Sequence, residues 1–210
     1  MSKQKRDAEA TKAKIIESSM MLFSKNGFDA TTVDEIANVS DVNKALIYYY
    51  FKNKAGLYEI VMNEVLSAIY TKVIEANKVC KSPIDELEAF IKTYAEFANK
   101  QPYFPALLLR ELSDNGAHIP EMMFSSMRKL FKLLSEILKK GEEEGVFKNV
   151  IPMVIHFMII GTVNLLVTTS PLRKKAAQMT DEINTCSDCP MDEISDYIFE
   201  KIKLMLEVRL

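Results

Sequence analysis

The chain has 210 residues, with 27 Lys and Arg against 29 Asp and Glu, a formal net charge of −2 and 48% hydrophobic residues. This composition is typical of one large or two small globular domains, and it excludes a disordered chain, a collagen-like repeat and a disulfide-rich mini-protein. The 6 Gly and 7 Pro are too few for the many turns of an all-β fold, so we expect a mostly helical protein.

The cysteines and the first residues favour a cytoplasmic location. Three cysteines, an odd number, argue against a disulfide framework. The basic residues near the start are not followed by an apolar run, as they would be in a secretory signal peptide. We therefore expect the protein to reside in a reducing cytoplasm.

The N-terminal region begins with two predicted helices. Apolar residues recur at helical spacing over about 8–25, and Gly27 is a typical residue after a helix C-terminus. Thr32, followed three residues later by Glu35, predicts a capping box at the start of a short second helix. That helix is expected to end near Val39.

A third short helix is predicted about three residues after the second, with Asn43 as its N-cap. The small Ala37 at the expected crossing and the apolar Val42 in the turn complete the pattern of a helix-turn-helix, whose second helix enters the DNA major groove. Residues 42–57 contain three lysines, four aromatic residues and no acid. This segment is typical of a surface that faces phosphates, even though the whole chain is nearly neutral.

The remaining sequence is predicted to be helical, starting with a connecting helix that reaches about Val79. Further helices are predicted over about 83–100, 103–113, 120–144, 150–169 and 191–209. Ser170 to Pro190 is the longest segment predicted to be irregular, although it could be partly helical. We therefore predict an all-α fold of about nine helices, with a helix-turn-helix domain over 1–55 and a second helical domain over 56–210.

The segments Gly27–Ala37 and Ile47–Tyr58, with Val42 between them, resemble the DNA-binding domain of the TetR family of bacterial transcriptional repressors. The motif fixes more than a dozen residues at defined spacing. Members of that family are all-helical homodimers whose C-terminal part binds a small molecule and thereby releases DNA. The resemblance implies a ligand-responsive regulator bound to a palindromic, double-stranded operator.

The resemblance also implies roles for individual residues. Thr32 and Tyr48 match the family's phosphate-contacting threonine and tyrosine, and Lys54 matches the lysine that opens the fourth helix and is expected to contact a phosphate. Bases are expected to be read mainly by Lys44, Leu46 and Tyr49. The predicted DNA contacts are Thr32, Asn43, Lys44, Ala45, Leu46, Tyr48, Tyr49 and Lys54.

Three residues depart from the family pattern. Asp41 replaces the usual turn glycine, Asn43 stands where Ser or Thr usually caps the recognition helix, and Ala45 replaces a common glycine. Because Asp and Asn tolerate left-handed or capping geometry, we expect the first two to preserve the fold.

The most apolar stretch, residues 150–167, is long enough for a short membrane span. His156, Gly161 and Asn164 would make a lone span costly, so we favour a bundle helix that pairs with the amphipathic last helix. These two helices are then expected to form a four-helix bundle with a second subunit, as the resemblance also implies. The alternative function is a helical scaffold or membrane-anchored adaptor whose three-helix head binds a protein.

The middle of the chain is rich in Met and Phe, which are the default fillers of a helical core but also suit an adaptable apolar pocket. We expect a small hydrophobic effector to bind there. The candidate lining residues are Phe97, Phe104, Leu108, Arg110, Met123, Met127, Phe131, His156, Phe157 and Asn164.

Catalytic and metal-binding patterns are missing from the sequence. Cys186 and Cys189 have the spacing of a zinc or redox pair, but a second pair of zinc ligands is lacking. No glycine-rich phosphate loop or serine elbow occurs. We therefore expect no catalytic residue, no metal and no cofactor, and redox sensing by the two cysteines is left open.

Overall fold

The computed structural model describes residues 3–180 and 185–208, and these residues form ten α-helices. The helices are α1 (Lys3–Asn26), α2 (Val33–Ser40), α3 (Lys44–Phe51), α4 (Lys54–Asn77), α5 (Pro83–Lys100), α6 (Tyr103–Ser113), α7 (Glu121–Glu143), α8 (Pro152–Thr168), α9 (Ser170–Ala177) and α10 (Met191–Leu206). The predicted all-α class is confirmed. The helix count is ten rather than about nine, and the additional helix is α9.

Helix α9 lies in the segment that was predicted to be irregular. Its Arg173 donates hydrogen bonds to the carbonyl oxygens of Leu166 (2.7 Å) and Thr185 (3.3 Å), and to that of Cys186. Polar contacts with the preceding and the following segments of the chain therefore hold this helix. Contacts of this kind cannot be predicted from the spacing of apolar residues. The predicted irregular segment also includes residues 181–184, which lie outside the described residues.

Cys186 and Cys189 are joined by a disulfide bond. The odd number of cysteines had argued against a disulfide framework, and a single bond between residues three apart is not such a framework. Two cysteines separated by two residues can pair without closing a long loop, so the count of cysteines carries little information about them. Cys80 keeps a thiol, whose pKa is raised mainly by burial.

The helices form two compact units. One consists of the chain up to Ser67 together with Ala106–Ser126, and the other contains the rest. The first unit therefore includes α1–α3, most of α4, most of α6, the segment after α6 and the first residues of α7. The boundary at residue 55 stays a prediction, and this unit runs along α4 to Ser67.

In the N-terminal unit, α2 packs against both α1 and α3. Phe23, Ile36, Ile47 and Leu57 are almost completely buried, and they come from four different helices. Removal of this much apolar surface from water is the main force that holds such short helices together, because isolated helices of eight residues are unstable. Gly27 ends α1 with a φ of 86°, as its predicted role requires.

In the C-terminal unit, α5 packs against α8 and α10. The Tyr94 hydroxyl on α5 donates a 2.8 Å hydrogen bond to Asn164 Oδ1 on α8, and both side chains are buried. Among the described residues, no single helix is both long and apolar enough to cross a membrane. Helices α8 and α9 are long and apolar enough only when they are taken together, and the two helices are bent by 59° relative to each other.

Candidate nucleic-acid interface

The N-terminus of α2 is closed by the predicted capping box. The Glu35 N–H donates to the Thr32 hydroxyl (3.2 Å), and the Thr32 N–H donates to the Glu35 carboxylate (2.8 Å). The hydrogen bonds from the Thr32 N–H and hydroxyl hold the pKa of Glu35 below its usual value. Thr32 is exposed, so its backbone and side chain lie at the surface at the positive end of the helix dipole.

The turn between α2 and α3 accommodates two of the three departures from the family pattern, Asp41 and Asn43. Asp41 is in the left-handed conformation, with φ 52° and ψ 46°, which Asp tolerates better than most residues. The Asn43 side chain accepts a 2.8 Å hydrogen bond from the Ala45 N–H and so caps α3. The structure confirms the expectation that these two residues preserve the fold.

Helix α3 buries one face and exposes the other. Ile47 and Phe51 are buried, whereas Ala45, Leu46 and Tyr48 are exposed. The exposed face also carries Tyr49, which is 78% solvent-accessible. An aromatic residue this exposed gains little from the core, and it is available to a partner.

The third consecutive tyrosine is directed elsewhere. Tyr50 is half-buried, and the Lys12 ammonium of α1 lies 5.4 Å from its ring centroid. The three tyrosines thus have different surroundings, as their helical spacing requires.

The Lys44 ammonium, which is predicted to read bases, forms an ion pair with Asp34 of α2 at 2.7 Å. This hydrogen bond raises the pKa of Lys44, so the side chain keeps its positive charge. The two side chains are both largely exposed, so the pair is screened by solvent and easily exchanged.

The Lys54 ammonium lies against the loop between α1 and α2. It donates hydrogen bonds to the carbonyl oxygens of Phe28 (2.9 Å), Asp29 (3.2 Å) and Thr31 (3.1 Å). It also lies 4.3 Å from the centroid of the Phe28 ring. An ammonium has three N–H donors. This geometry therefore favours a role in positioning the loop, and direct contact with a phosphate stays a prediction.

A buried polar cluster in the same unit was missed by the sequence analysis. Glu111 on α6 is 2% exposed and accepts hydrogen bonds from the Tyr58 hydroxyl (2.5 Å) and from the backbone N–H of His118 (3.3 Å). Burial and this carboxylate raise the pKa of Tyr58. The partners are up to 53 residues apart, so no local pattern could have indicated them.

The predicted effector residues fall in both units. Leu108, Arg110 and Met123 belong to the N-terminal unit, where Arg110 donates to the Lys25 carbonyl oxygen (3.3 Å). The other predicted residues belong to the C-terminal unit; these are Phe97, Phe104, Met127, Phe131, His156, Phe157 and Asn164.

Three of the effector residues in the C-terminal unit are close neighbours. The His156 ring lies edge-on to Phe131 at 5.5 Å and to Phe157 at 5.9 Å. Its Nδ1 atom is buried and has no hydrogen-bond partner among the described residues. Burial lowers the pKa of His156, which favours the neutral imidazole.

A capped α2, a tight turn and an α3 with one exposed face define a helix-turn-helix DNA-binding protein. Comparison with known proteins identifies the family. Residues 15–61 match a sequence profile described as bacterial regulatory proteins, tetR family, and residues 83–180 match one described as a tetracyclin repressor-like C-terminal domain. The chain belongs to the TetR family of DNA-binding transcriptional regulators, which are not enzymes.

Individual relatives agree with this assignment. The probable HTH-type transcriptional regulator YttP of Bacillus subtilis is 33% identical over 138 residues, which cover 64% of this chain and 66% of that protein. An HTH-type transcriptional repressor of Streptomyces coelicolor is 27% identical over 173 residues, which cover 80% and 84% of the two chains. The match to YttP thus spans about two thirds of each protein.

Solved structures share the fold. A tetR-family regulatory protein from Rhodococcus superimposes with a TM-score of 0.75 at 17% identity, over 100% of both chains. FadR from Bacillus subtilis, in complex with stearoyl-CoA, superimposes with a TM-score of 0.69 at 20% identity, over 90% of this chain and 95% of FadR.

The Lys54 contacts lead to a testable prediction. Lys54→Met should lower the melting temperature and weaken DNA binding, because the α1–α2 loop loses three charge-assisted hydrogen bonds. The slope of log affinity against log salt should stay as in the wild type, since no phosphate contact is lost. If Lys54 contacted a phosphate, the slope would fall by about one unit. Exposed Lys132 on α7 gives the matched control. Lys132→Met should leave the melting temperature, the DNA affinity and the salt slope unchanged.

Proposed function

We propose that the protein is a dimeric repressor that occupies a palindromic operator and leaves it when a small hydrophobic molecule binds. The exposed face of α3 beside the capped N-terminus of α2 is the observation that carries this proposal. Since the operator of a bacterial regulator lies in the cytoplasm, we infer that the protein acts there. Membership of the TetR family favours this function over the scaffold or adaptor that the sequence left as the alternative.

The DNA contacts are assigned from exposure and chemistry. Thr32 and Tyr48 are exposed and carry hydroxyl groups for phosphates, and Asn43 and Ala45 are exposed beside them. The Thr32 hydroxyl donates to the Glu35 carboxylate (2.9 Å) and donates to a phosphate once it leaves Glu35. Lys44, Leu46 and Tyr49 are the proposed base-reading residues, because they lie on or beside the solvent-facing side of α3. The Lys44 ammonium reaches DNA once it leaves Asp34.

This assignment predicts a loss of specificity in Lys44→Ala. A lysine that contacts a base should contribute about 1–3 kcal/mol to discrimination, so the ratio of operator affinity to random-DNA affinity should fall roughly 5- to 150-fold. The measurement is a titration of a duplex, selected from randomised DNA with the wild-type chain, against a scrambled duplex. Lys132→Ala removes the same charge far along the chain and should preserve the ratio. An equal loss of affinity for both duplexes would contradict the base-reading role.

The dimer surface is proposed on α8 and α10. Each of these helices buries one face in its own unit and leaves apolar residues on the other. The large exposed apolar residues are Ile151, Met153, Val154, Phe157, Met158 and Leu165 on or just before α8, with Tyr197, Leu204 and Met205 on α10. Large exposed apolar side chains in this number on two helices of one unit are typical of a protein interface.

Two further observations fit a second copy of the chain at this surface. A cleft of about 610 Å³ runs between α8 and α10, with Met158 and Leu166 on one wall and Tyr197 and Lys201 on the other. Among the described residues, and leaving out the neighbouring backbone of α8 itself, no atom lies within 4 Å of the position that a Cβ of Gly161 would take. A glycine on an open helix face allows another helix to approach closely, so we assign the cleft to the partner's α8 and α10.

A charge on this surface should prevent dimerisation. Phe157 is 62% exposed, so Phe157→Glu should be tolerated by the single subunit but should bury an unpaired carboxylate in the dimer. We expect a monomer by analytical ultracentrifugation, with weak operator binding, because one half-site offers too few contacts. Val79→Glu places the same charge at an exposed apolar residue between α4 and α5 and should leave the dimer intact. If the Phe157→Glu variant remained dimeric, the assignment of α8 to the interface would be wrong.

The effector proposal rests on the aromatic and methionine residues of the C-terminal unit. The unpaired Nδ1 of His156, beside Phe131, could receive a hydrogen bond from a ligand that is otherwise apolar. FadR from Bacillus subtilis has been solved with stearoyl-CoA, and another structural neighbour is a ketosteroid transcriptional regulator. We propose that the effector belongs to the same broad class of large apolar molecules, with a long acyl chain as the first candidate.

The effector and the operator should weaken each other's binding by the same factor, since coupling between two sites is reciprocal. Stearoyl-CoA serves as the probe. We expect its affinity to fall when the selected duplex is present, and the affinity for the duplex to fall equally when stearoyl-CoA is present, while the protein remains dimeric. Equal affinity for stearoyl-CoA with and without DNA would show that this molecule is not the inducer.

A further inference from the structure

The disulfide bond between Cys186 and Cys189 closes a turn immediately before α10. The two cysteines are three positions apart, and the turn leads through Pro190, the N-cap of α10, into that helix. A loop this short restricts the unfolded chain less than a long loop does, so the bond adds comparatively little to the stability of the whole fold. Its main effect is local, because it restricts the conformations of the four residues from Cys186 to Cys189.

The backbone of this turn has an uncommon conformation. Cys186 has a φ of 49°, in the left-handed region that residues with a Cβ seldom adopt. Its carbonyl oxygen accepts a hydrogen bond from Arg173 of α9, and the same side chain donates to the carbonyl oxygen of Leu166 on α8 (2.7 Å). The turn is thus connected to the end of α8. Breaking the disulfide removes the covalent constraint on Cys186, so we expect the turn to relax and this connection to loosen.

The turn forms part of the cleft between α8 and α10. Cys186 and Cys189 line this cleft together with Leu166 of α8 and with Glu193 and Tyr197, which lie in the first two turns of α10. All five residues belong to the C-terminal unit. Because the cleft is the surface assigned above to the partner's α8 and α10, the state of the disulfide alters a wall on which the second subunit is proposed to pack.

The disulfide is within reach of small thiols. Cys189 is exposed and Cys186 is half-buried. Exposed disulfides are reduced more readily than buried structural ones, and the disulfides of cytoplasmic proteins are usually transient. In the cytoplasm, where the protein is proposed to act, we therefore expect the pair to exchange between the disulfide and the dithiol.

The exchange needs only a small thiol and its disulfide. The thiolate of a small thiol attacks the exposed Cys189 sulfur, which breaks the bond to Cys186 and forms a mixed disulfide. A second small thiolate attacks the sulfur of the first and releases Cys189. Two small thiols thus give up two electrons and two protons, the two cysteines become thiols, and the small molecules leave as one disulfide. Oxidation runs in the reverse direction, with a small disulfide as the electron acceptor.

We propose that Cys186 and Cys189 form a reversible thiol–disulfide site that controls dimerisation, with the disulfide form dimerising more tightly than the dithiol form. The disulfide fixes one wall of the cleft before the partner binds, so less conformational freedom is lost on association. In the dithiol form the turn must first be ordered, which weakens the dimer about three- to tenfold. This inference rests on the dimer surface and the cytoplasmic location proposed above.

The test compares the full chain in buffers of reduced and of oxidised glutathione. Thiol alkylation followed by mass spectrometry measures the fraction of chains that carry the bond, and analytical ultracentrifugation measures the dimer dissociation constant. The wild type should dimerise about three- to tenfold more tightly when it is oxidised. The double variant Cys186→Ser/Cys189→Ser should dimerise like the reduced wild type in both buffers. Cys80→Ser, which removes the third cysteine, is the matched control and should keep the full difference.

Three outcomes overturn the inference and leave the proposed dimer standing. The first is a dissociation constant that stays the same although the bond is shown to form and break. The second is a bond that excess reduced glutathione leaves intact in the folded chain, because the disulfide is then structural. The third is a cross-link between two subunits, seen on a non-reducing gel in place of the internal bond. If the wild type is monomeric in both buffers at every concentration, it is the proposed dimer that fails, and this inference fails with it.

Discussion

The anchoring of the α1–α2 loop is the constraint on which the DNA-facing surface depends. Helices α2 and α3 have only eight residues each and cannot fix their own orientation. The Lys54 ammonium, bound to three carbonyl oxygens of the loop, supplies a fixed point from α4. The capping box then starts α2 at a defined residue, and the left-handed Asp41 sets the angle at which α3 leaves the turn. A displacement at the loop would therefore change the position of every exposed side chain on α3.

The parts of the fold that could be predicted are those specified by near neighbours in the sequence. The capping box joins Thr32 and Glu35, and the Asn43 cap joins residues two apart, so both follow from local sequence rules. Apolar periodicity indicated the long helices in the same way. It failed at α9, which is short and has no buried residue, so it has no apolar stripe for periodicity to detect.

The role of several charged residues could not be predicted, because their partners are remote in the sequence. The DNA contact of Lys54 stays a prediction, and its ammonium donates hydrogen bonds to carbonyl groups up to 26 residues away. The effector contact of Arg110 also stays a prediction, and this side chain donates to a carbonyl oxygen 85 residues away. Lysine and arginine have similar patterns in a sequence whether they bind a ligand or a backbone carbonyl. Only the three-dimensional arrangement distinguishes these roles.

The ion pair between Lys44 and Asp34 has a consequence for how the protein searches a genome. Asp34 acts as an internal competitor that occupies the lysine whenever no better partner is present. Under the proposed base-reading role, Lys44 stays paired with Asp34 on random DNA and leaves it only where the base edges offer a better partner. The acidic residue thus keeps this lysine from adding to the affinity for the vast excess of non-operator sequence.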